Sequence, residues 1–473
     1  MKNTRSGERK LTKIVWRVIL ALLVVVMILA LGSYTLSQMQ DGTLQITPVA
    51  LTALAIFVGA YVVITFEHQL KTEKAPVAMI AATVLWVLLS VTGVLPIDEI
   101  RHHLELAMGE TASIVLFLLV AMTLVEYLVH YGLFDWVRIR LYRLGLDDRK
   151  QFYIIAVLTF FLSAILDNLT ITIVMIQIAL RFFTGRNLII VAAGIVVCAN
   201  AGGAWSPIGD VTTIMMWIAQ KFTTMEIITN TFFPSLVQAT VTTLLLGRKI
   251  FGQNGDSTVE LQDVHFTFSE LLVIFLCLGT FGLPLIAAQM GLQPFMGLFV
   301  GLGVVWIVIG YLKMANHHDK PTHLEADITK MMAKVDFPSL LFFVGILLSV
   351  GALDALGLLR QMSEMMLGAD PSFERLAGVA VVFGYLSSLV DNVPLTAVAI
   401  DMFETTNSQI WTFMAYSVGT GGSHLAIGSV AGVVAMGMVK ELTSTEYFKI
   451  ATPAVAIGFV LGVIVQLGSY MLF

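Results

Sequence analysis

Residues Ser163–Met175 read SAILDNLTITIVM, an apolar run with Asp167 and Asn168 at its middle. A second run, SSLVDNVPLTAV over Ser387–Val398, puts Asp391 and Asn392 in the same places. Around them lies a chain of 473 residues that is 57% hydrophobic and 12% charged, with a mean hydropathy of +0.87. Many of its apolar runs approach the roughly 20 residues a helix needs to cross the hydrocarbon of a bilayer. Unpaired backbone groups in lipid cost several kcal/mol each, so such runs must be helical; alternating strands of about ten residues, the mark of a barrel, do not appear. The composition therefore gives an all-α polytopic membrane protein whose first partner is the lipid bilayer; no nucleic-acid partner is expected. Cys198 and Cys277 both sit inside apolar segments and imply no disulfide framework. The net charge of -5 matters less than where the charges lie.

Crossings are expected near 14–35, 49–66, 76–95, 112–131, 188–218, 230–247, 269–289, 294–312, 339–357, 408–439 and 450–473, about eleven helices. The two Asp-Asn segments are left over. Arg138, Arg140, Arg143, Arg149 and Lys150 precede the first, and Arg181 and Arg186 follow it, so both its flanks are positive. Cytoplasmic loops collect Lys and Arg, and a spanning helix would strand one cluster on the wrong side. A re-entrant hairpin does not. Its arms, Lys150 to Asp167 and Asp167 to Arg181, would span about 25 and about 21 Å as helix, short of a ~30 Å crossing. With hairpins over 150–181 and 376–404, all of the 27 Lys and Arg except Arg101, Lys221, Arg360 and Arg375 fall on the cytoplasmic side. The N-terminus is then cytoplasmic and the C-terminus periplasmic. The first segment, with Lys2, Arg5, Arg9, Lys10 and Lys13 ahead of its apolar run, reads either as an anchor or as a cleaved signal peptide.

The chain also repeats itself. Leu116-Phe117 and Gly132-Leu133 recur as Leu341-Phe342 and Gly357-Leu358, an offset of 225. Asp167-Asn168 recurs at an offset of 224, and NAGGAWSPIGDVTT (Asn200–Thr213) aligns with GTGGSHLAIGSVAG (Gly419–Gly432) at 219. Five expected crossings separate the copies, and an odd number turns the second upside down. This is the inverted-topology repeat of many secondary transporters, in which substrate binds at the midplane between halves. The expected division is 1–110 for N-terminal segments, 111–250 for repeat 1, 251–338 for linkers and two scaffold helices, and 339–473 for repeat 2.

Each repeat holds a crossing interrupted by glycine: Gly202, Gly203, Pro207 and Gly209 in the run 188–218, and Gly421, Gly422 and Gly428 in 408–439. Proline removes a backbone donor and glycine loosens a helix, so both crossings are expected to break near their centres. Small residues also serve close helix packing, the plainer reading of any single such stretch. Two matched breaks beside two matched hairpin tips point instead to a site. Asp167 and Asp391 would sit at the tips, where each can also N-cap the second arm. That does not account for Asp210, inside the first broken crossing with Thr212 and Thr213 after it. An ionised carboxylate at the bilayer centre costs at least about 2.5 to 3.5 kcal/mol, so three at one depth require a cation, a proton or a water-filled cavity.

Burial raises a carboxyl's affinity for protons, and an entering metal ion favours the ionised form, so H+ and cation compete for the same oxygens. A protein that changes access only when one of them is bound is an antiporter. Carboxylates, the Asn168 and Asn392 amides, Ser and Thr hydroxyls and backbone carbonyls are hard donors suited to Na+ or Li+, which would lie at Asp167, Asp210 and Asp391. Neither a cofactor nor enzymatic activity is expected.

The motifs SAILDNLTITIVM, GGAWSPIGDVTTIMMW, SSLVDNVPLTAVAI and GTGGSHLAIGS resemble those of the NhaD family of bacterial sodium/proton antiporters. That family stands within a superfamily that includes dicarboxylate and arsenite carriers. The resemblance runs from about residue 110 to the C-terminus. It implies two inverted repeats with paired hairpins, a homodimer formed through scaffold helices, an inner-membrane location, and Na+/Li+ extrusion driven by inward H+ flow. Carried over by position, it makes Asp167, Asn168, Asn200, Asp210, Thr212, Thr213, Ser387, Asp391, Asn392, Ser423 and Ser429 the ion-site and transport residues. The repeats differ: Ser429 stands where the first has Asp210, and Pro394 where it has Thr170, so the halves do not contribute equal charge.

His424 aligns with Trp205 and reads as a proton carrier or, more plainly, as a hydrogen-bonded structural histidine. Glu126 and His130, four apart on one helix face, form either an accessory proton path or a snorkelled interfacial pair. His102 and His103 are expected in a solvated outer loop, and His317, His318, Asp319 and His323 in a cytoplasmic linker rather than a metal centre. Residues 325–337 read as an amphipathic surface helix. Two rivals remain at this point: a sodium-coupled carboxylate carrier of the same fold, whose hairpin tips should lack Asp, and an intramembrane aspartyl protease, which would leave the repeat unexplained.

Overall fold

A computed structural model describes residues 47–65, 67–70, 72–251, 264–315, 327–367 and 372–472. The segment 14–35 and the cluster His317, His318, Asp319 and His323 lie outside the described residues. Every regular element among those described is helical. Besides a four-residue helix, Glu67–Leu70, they are in chain order α1 (Pro48–Thr65), α2 (Lys74–Thr92), α3 (Ile97–His130), α4 (Leu133–Arg143), α5 (Asp148–Leu162), α6 (Asn168–Phe182) and α7 (Gly185–Gly203). There follow α8 (Val211–Ile218), α9 (Thr224–Gly247), α10 (Phe268–Thr280), α11 (Leu283–Gln289), α12 (Pro294–Ala315), α13 (Ile328–Met332) and α14 (Phe337–Ala355). The last are α15 (Leu358–Leu367), α16 (Phe373–Leu386), α17 (Asn392–Met402), α18 (Ser408–Gly421), α19 (Val430–Met438), α20 (Ser444–Ile450) and α21 (Thr452–Leu472). Among the described residues eight helices, counting α10 and α11 as one, are long and apolar enough to cross a membrane. The chain is a multi-pass α-helical membrane protein.

The chain folds as two compact units. One takes the described residues of 1–115, 336–370 and 397–404. Here α2 packs on α14: the Trp86 Nε1–H donates to Leu348 O at 2.9 Å, and Gly345 lies so close that a Cβ there would come within 2.6 Å of the Ala78 carbonyl carbon. The other unit takes 116–335, 371–396 and 405–473 and contains both Asp-Asn turns and both glycine-marked crossings. Its packing includes α9 against α21, where the buried Tyr416 hydroxyl of α18 donates to Gln238 Oε1 (2.8 Å) and Phe459 O (3.1 Å).

Each Asp-Asn pair stands at a turn between two short helices. The arms α5 and α6 are 15 residues each, about 22 Å, and meet over the turn 163–167. The arms α16 and α17, of 14 and 11 residues, do the same over 387–391. Both marked crossings are interrupted. In the first, α7 ends at Gly203 and α8 starts at Val211, so Pro207 and Gly209 lie in the irregular stretch between. This break lies near the centre of the expected run, directly after the glycine pair that ends α7. In the second, α18 ends at Gly421 and two 3-10 turns, Gly422–His424 and Ala426–Gly428, lead to α19.

Three local expectations need correction. His102 and His103 are not in a loop: α3 starts at Ile97, and both lie in the helical extension that precedes its apolar part. The surface helix expected over 325–337 shortens, within the described residues, to α13, because the Asp327 side chain accepts from Thr329 N–H to start it and Asp336 accepts from Ser339 N–H to start α14. Third, α4 and α15 follow directly on α3 and α14, each after a glycine in the left-handed region (Gly132 φ 74°, Gly357 φ 67°). The repeated Gly-Leu pair marks a helix break that only a residue without a Cβ adopts cheaply.

Candidate functional site

The site is built where the two hairpin turns meet the two helix breaks. Asp210 is the N-cap of α8: its Oδ1 accepts from Thr212 N–H at 3.0 Å, and its backbone oxygen accepts from Thr213 Oγ1 at 2.8 Å. The side chain is 1% exposed, so its charge has no bulk solvent to lean on. Both hairpins supply its partners. Asn168 Nδ2, from the first, donates to Asp210 Oδ2 at 2.8 Å; Asn392 Nδ2, from the second, donates to Oδ2 and Oδ1 at 3.3 and 3.5 Å. Asn168 also donates to Asn200 Oδ1 (3.1 Å), and Asn200 Nδ2 in turn donates to Ser423 Oγ (3.0 Å) and Ser429 Oγ (2.9 Å). Ser429 caps α19 by accepting from Gly432 N–H. One chain of hydrogen bonds thus runs from Asn392 through Asp210, Asn168 and Asn200 to the serines of the second break. Asn168, Asn200, Asp210, Asn392, Ser423 and Ser429 are all buried.

The tip aspartates sit one residue before the two asparagines and cap the second arms. Asp167 Oδ1 accepts from Thr170 N–H at 2.9 Å and its Oδ2 from Thr170 Oγ1 at 2.5 Å. Asp391 Oδ1 accepts from Val393 N–H at 3.2 Å; Pro394, at the position of Thr170, has neither N–H nor hydroxyl to offer. Both tips are partly exposed, and each is followed by an asparagine that bonds the Asp210 carboxylate. Capping and proximity to the central acid coexist. Thr212, in the first turn of α8 beside Asp210, is fully buried. Ser387 is satisfied otherwise, donating to Val418 O at 2.7 Å.

Glycine makes this convergence possible. A Cβ on Gly203 or on Gly422 would stand 2.6 Å from the carbonyl oxygen of Gly209 or Gly428 across its own break. One on Gly209 or Gly428 would stand 2.6 Å from the carbonyl of Ser163 or Ser387 in the hairpin turn. Gly202 and Gly421 pack as tightly on the backbones of Phe160 and Gly384. Close packing and helix breaking are therefore the same feature.

Some expected residues stand apart. Glu126 and His130 lie on α3 and take no part in the network; His130 packs edge-on to Tyr131, with ring centroids 5.3 Å apart. His424 lines the second break, its Nδ1 2.8 Å from Gly421 O and its ring 5.0 Å from that of Phe459, while its Nε2 is buried with no hydrogen-bond partner among the described residues. Trp205 fills the corresponding place against Phe232. Sequence reasoning missed several supports: Ser163, whose hydroxyl donates to Ala199 O (2.6 Å) as Ser387 does to Val418 O, and Thr172 and Thr396, which bond the carbonyls of Asn168 and Asn392. The offset of 224 identifies all of them. Tyr447, whose hydroxyl donates to Ser423 O at 2.7 Å, has no such signal.

Comparison with known proteins gives the family. A family model described as "Citrate transporter" matches residues 10–419. "Sodium/proton antiporter 1" of Arabidopsis thaliana is 35% identical over 434 residues, covering 89% of this chain and 73% of the relative. "Na(+)/H(+) antiporter NhaD" of Alkalimonas amylolytica is 30% identical over 449 residues, covering 89% and 90%. The protein of the same name from Vibrio cholerae is 30% identical over 442 residues, covering 88% and 91%. These relatives are transporters and not enzymes, and the protease reading falls away. The chain belongs to the citrate-transporter family and, within it, to the NhaD-type sodium/proton antiporters.

Proposed function

We propose that this protein exchanges Na+ or Li+ for H+ across the bacterial inner membrane by alternating access, with no cofactor. The observation that carries the reading is the meeting of both hairpins on one buried acid: Asn168 and Asn392 each donate an amide N–H to the Asp210 carboxylate. An ionised carboxylate accepts all of these bonds at once. A proton arriving on Asp210 turns one acceptor oxygen into a donor, and an amide facing it must then present its oxygen instead. The proton state of one acid is thereby read by both hairpin tips. A bare Na+ would replace the same amide contacts with the hard oxygens at hand, the Asp210 carboxylate, Thr212 Oγ1, the asparagine carbonyls and the two tip carboxylates. The two cargoes exclude each other.

In this reading the hairpins are re-entrant, repeats 111–250 and 339–473 are inverted, the N-terminus is cytoplasmic, the C-terminus periplasmic, and the protein is a homodimer. Hairpin arms of about 22 Å or less support the first point. The family description also raises carboxylate transport. Against it, residues 151–180, 187–220 and 376–439, which hold both hairpin turns and both breaks, contain no Lys or Arg to meet an anion. The test is dye-reported H+ movement in proteoliposomes on adding Na+, Li+, K+ or citrate. Na+ and Li+ should release trapped protons in the wild type and not in Asp210→Asn. Citrate uptake without Na+-driven H+ movement would refute the proposal.

A further inference from the structure

One strongly charged surface is unused by the ion site. The hairpin α5–α6 begins and ends at the same end of its unit, because contacts tie the base together. Tyr142 of α4 stacks on Phe182 at the end of α6, with ring centroids 6.0 Å apart. Asn187 at the start of α7 donates to Asp148 Oδ2 at the start of α5 (2.9 Å), and Arg149 Nη2 donates to Ile250 O just past α9 (3.1 Å). Arg138, Arg140, Arg143, Arg149, Lys150, Arg181 and Arg186 are gathered on this base with only three acidic residues, Asp135, Asp147 and Asp148. Helix α4 is amphipathic across it. Phe134, Ile139 and Leu141 are buried, while Trp136 is 37% exposed with the Arg140 guanidinium 5.2 Å over its ring, and Arg143 and Leu144 are exposed beyond. An indole under a guanidinium beside exposed leucine suits the zone where acyl chains meet headgroups.

The repeat supplies an internal control. Helix α15 occupies the place of α4 in the second copy, 225 residues on. Its arginine, Arg360, is paired with Glu364 (3.4 Å) and lies 3.8 Å from Glu404. From 373 to 404 the second hairpin carries Arg375 against Glu374, Asp391, Asp401 and Glu404. The fold therefore does not require a basic collar at this place; one copy has it and the other has the opposite charge.

We propose that the base of the first hairpin, centred on Trp136, Arg140, Arg143 and Arg181, binds the phosphate headgroups of anionic phospholipids. Basic residues near an anionic surface are each attracted to it, so the collar should prefer such lipids over zwitterionic ones. The seat of a lipid there also fixes the root of the hairpin whose tip carries Asp167 and Asn168, linking headgroup charge to the ion site.

The test uses the full chain in vesicles containing brominated phosphatidylglycerol or brominated phosphatidylcholine, and takes the quenching lost in Trp136→Phe as the signal of Trp136. Selectivity for the anionic lipid is expected on the order of fivefold, falling as salt approaches about 1 M. It should persist when Arg140, Arg143 and Arg181 become Lys and vanish when they become Gln. Should the Gln variant not fold, the salt series on the wild type decides. Equal quenching by the two lipids, selectivity insensitive to salt, selectivity retained in the Gln variant, or its abolition by millimolar inorganic phosphate would each overturn the assignment. Because the readout is binding, its outcome is independent of whether transported ions are Na+, Li+ or neither.

Discussion

Asn200 is the residue through which the first break touches the second. Its oxygen accepts from Asn168 and its nitrogen donates to Ser423 and Ser429, residues 223 and 229 positions away. Asn200→Ala removes three buried bonds, leaving one Asn168 N–H without its acceptor and the Ser423 and Ser429 hydroxyls without the amide donor, at about 1 to 3 kcal/mol for a stranded group. A melting temperature lowered by several degrees and loss of Na+-driven H+ movement are expected, whereas Asn200→Ser should retain more of both. At Gly202 the change is steric. A methyl group meets the Phe160 backbone, which cannot rotate away, so Gly202→Ala should destabilise by about 1 to 3 kcal/mol. Gly310 on α12, with open space where a Cβ would go, is the control: Gly310→Ala should be neutral in the same thermal melt.

At the scale of elements, helix ends do most of the positioning. Asp167, Asp210 and Ser429 each cap the helix that follows them, so the site is a set of helix N-termini held together by amides. The same device works at Glu226, ahead of the crossing expected from residue 230. It closes a capping box with Thr223 at the start of α9 and accepts from Ser408 Oγ at 2.6 Å at the start of α18. Partial burial, the largest influence, pushes this carboxyl up, but hydrogen bonds from Ser408 and Thr223 together hold it below the usual glutamate range. A depressed folded value means the stabilisation is present above the ordinary range and is lost as pH falls through the folded one. Wild type should therefore melt above Glu226→Gln near neutral pH, with the gap closing below about pH 4. A gap that stays constant down to pH 3 would contradict this role.

At the scale of the whole molecule, the decisive question is whether the hairpins turn back. If the first does, cysteines placed at Lys150 and Arg186 must both react with an impermeant maleimide from the same side of sealed vesicles, and from that side only. The native thiols offer a quiet background, since Cys198 and Cys277 are 1% and 0% exposed. Labelling of the two positions from opposite sides would make the hairpin a crossing and undo the inverted repeat. Much of this architecture was legible in the chain. Glycine pairs and an Asp-Asn pair inside apolar runs leave local marks, and their recurrence at offsets of 219 and 224 makes them unmistakable. The α4 and α15 helices left only a Gly-Leu pair. The helical extension carrying His102 and His103 was unreadable because a charged stretch looks alike in a solvated helix and in a loop.

Sequence by itself determined the membrane class and marked the two Asp-Asn turns, the two helix breaks and the polar residues that stand at them, because lipid tolerates polar or non-helical chain only where it is matched and enclosed. Tertiary structure decided which of those residues meet. That Asn168 and Asn392 converge on Asp210, and that Asn200 reaches past them to Ser423 and Ser429, depends on backbones brought within van der Waals contact at glycines far apart in the chain. Hydrogen bonds act over about 3 Å, and no spacing along a sequence sets a distance of that size between separate helices.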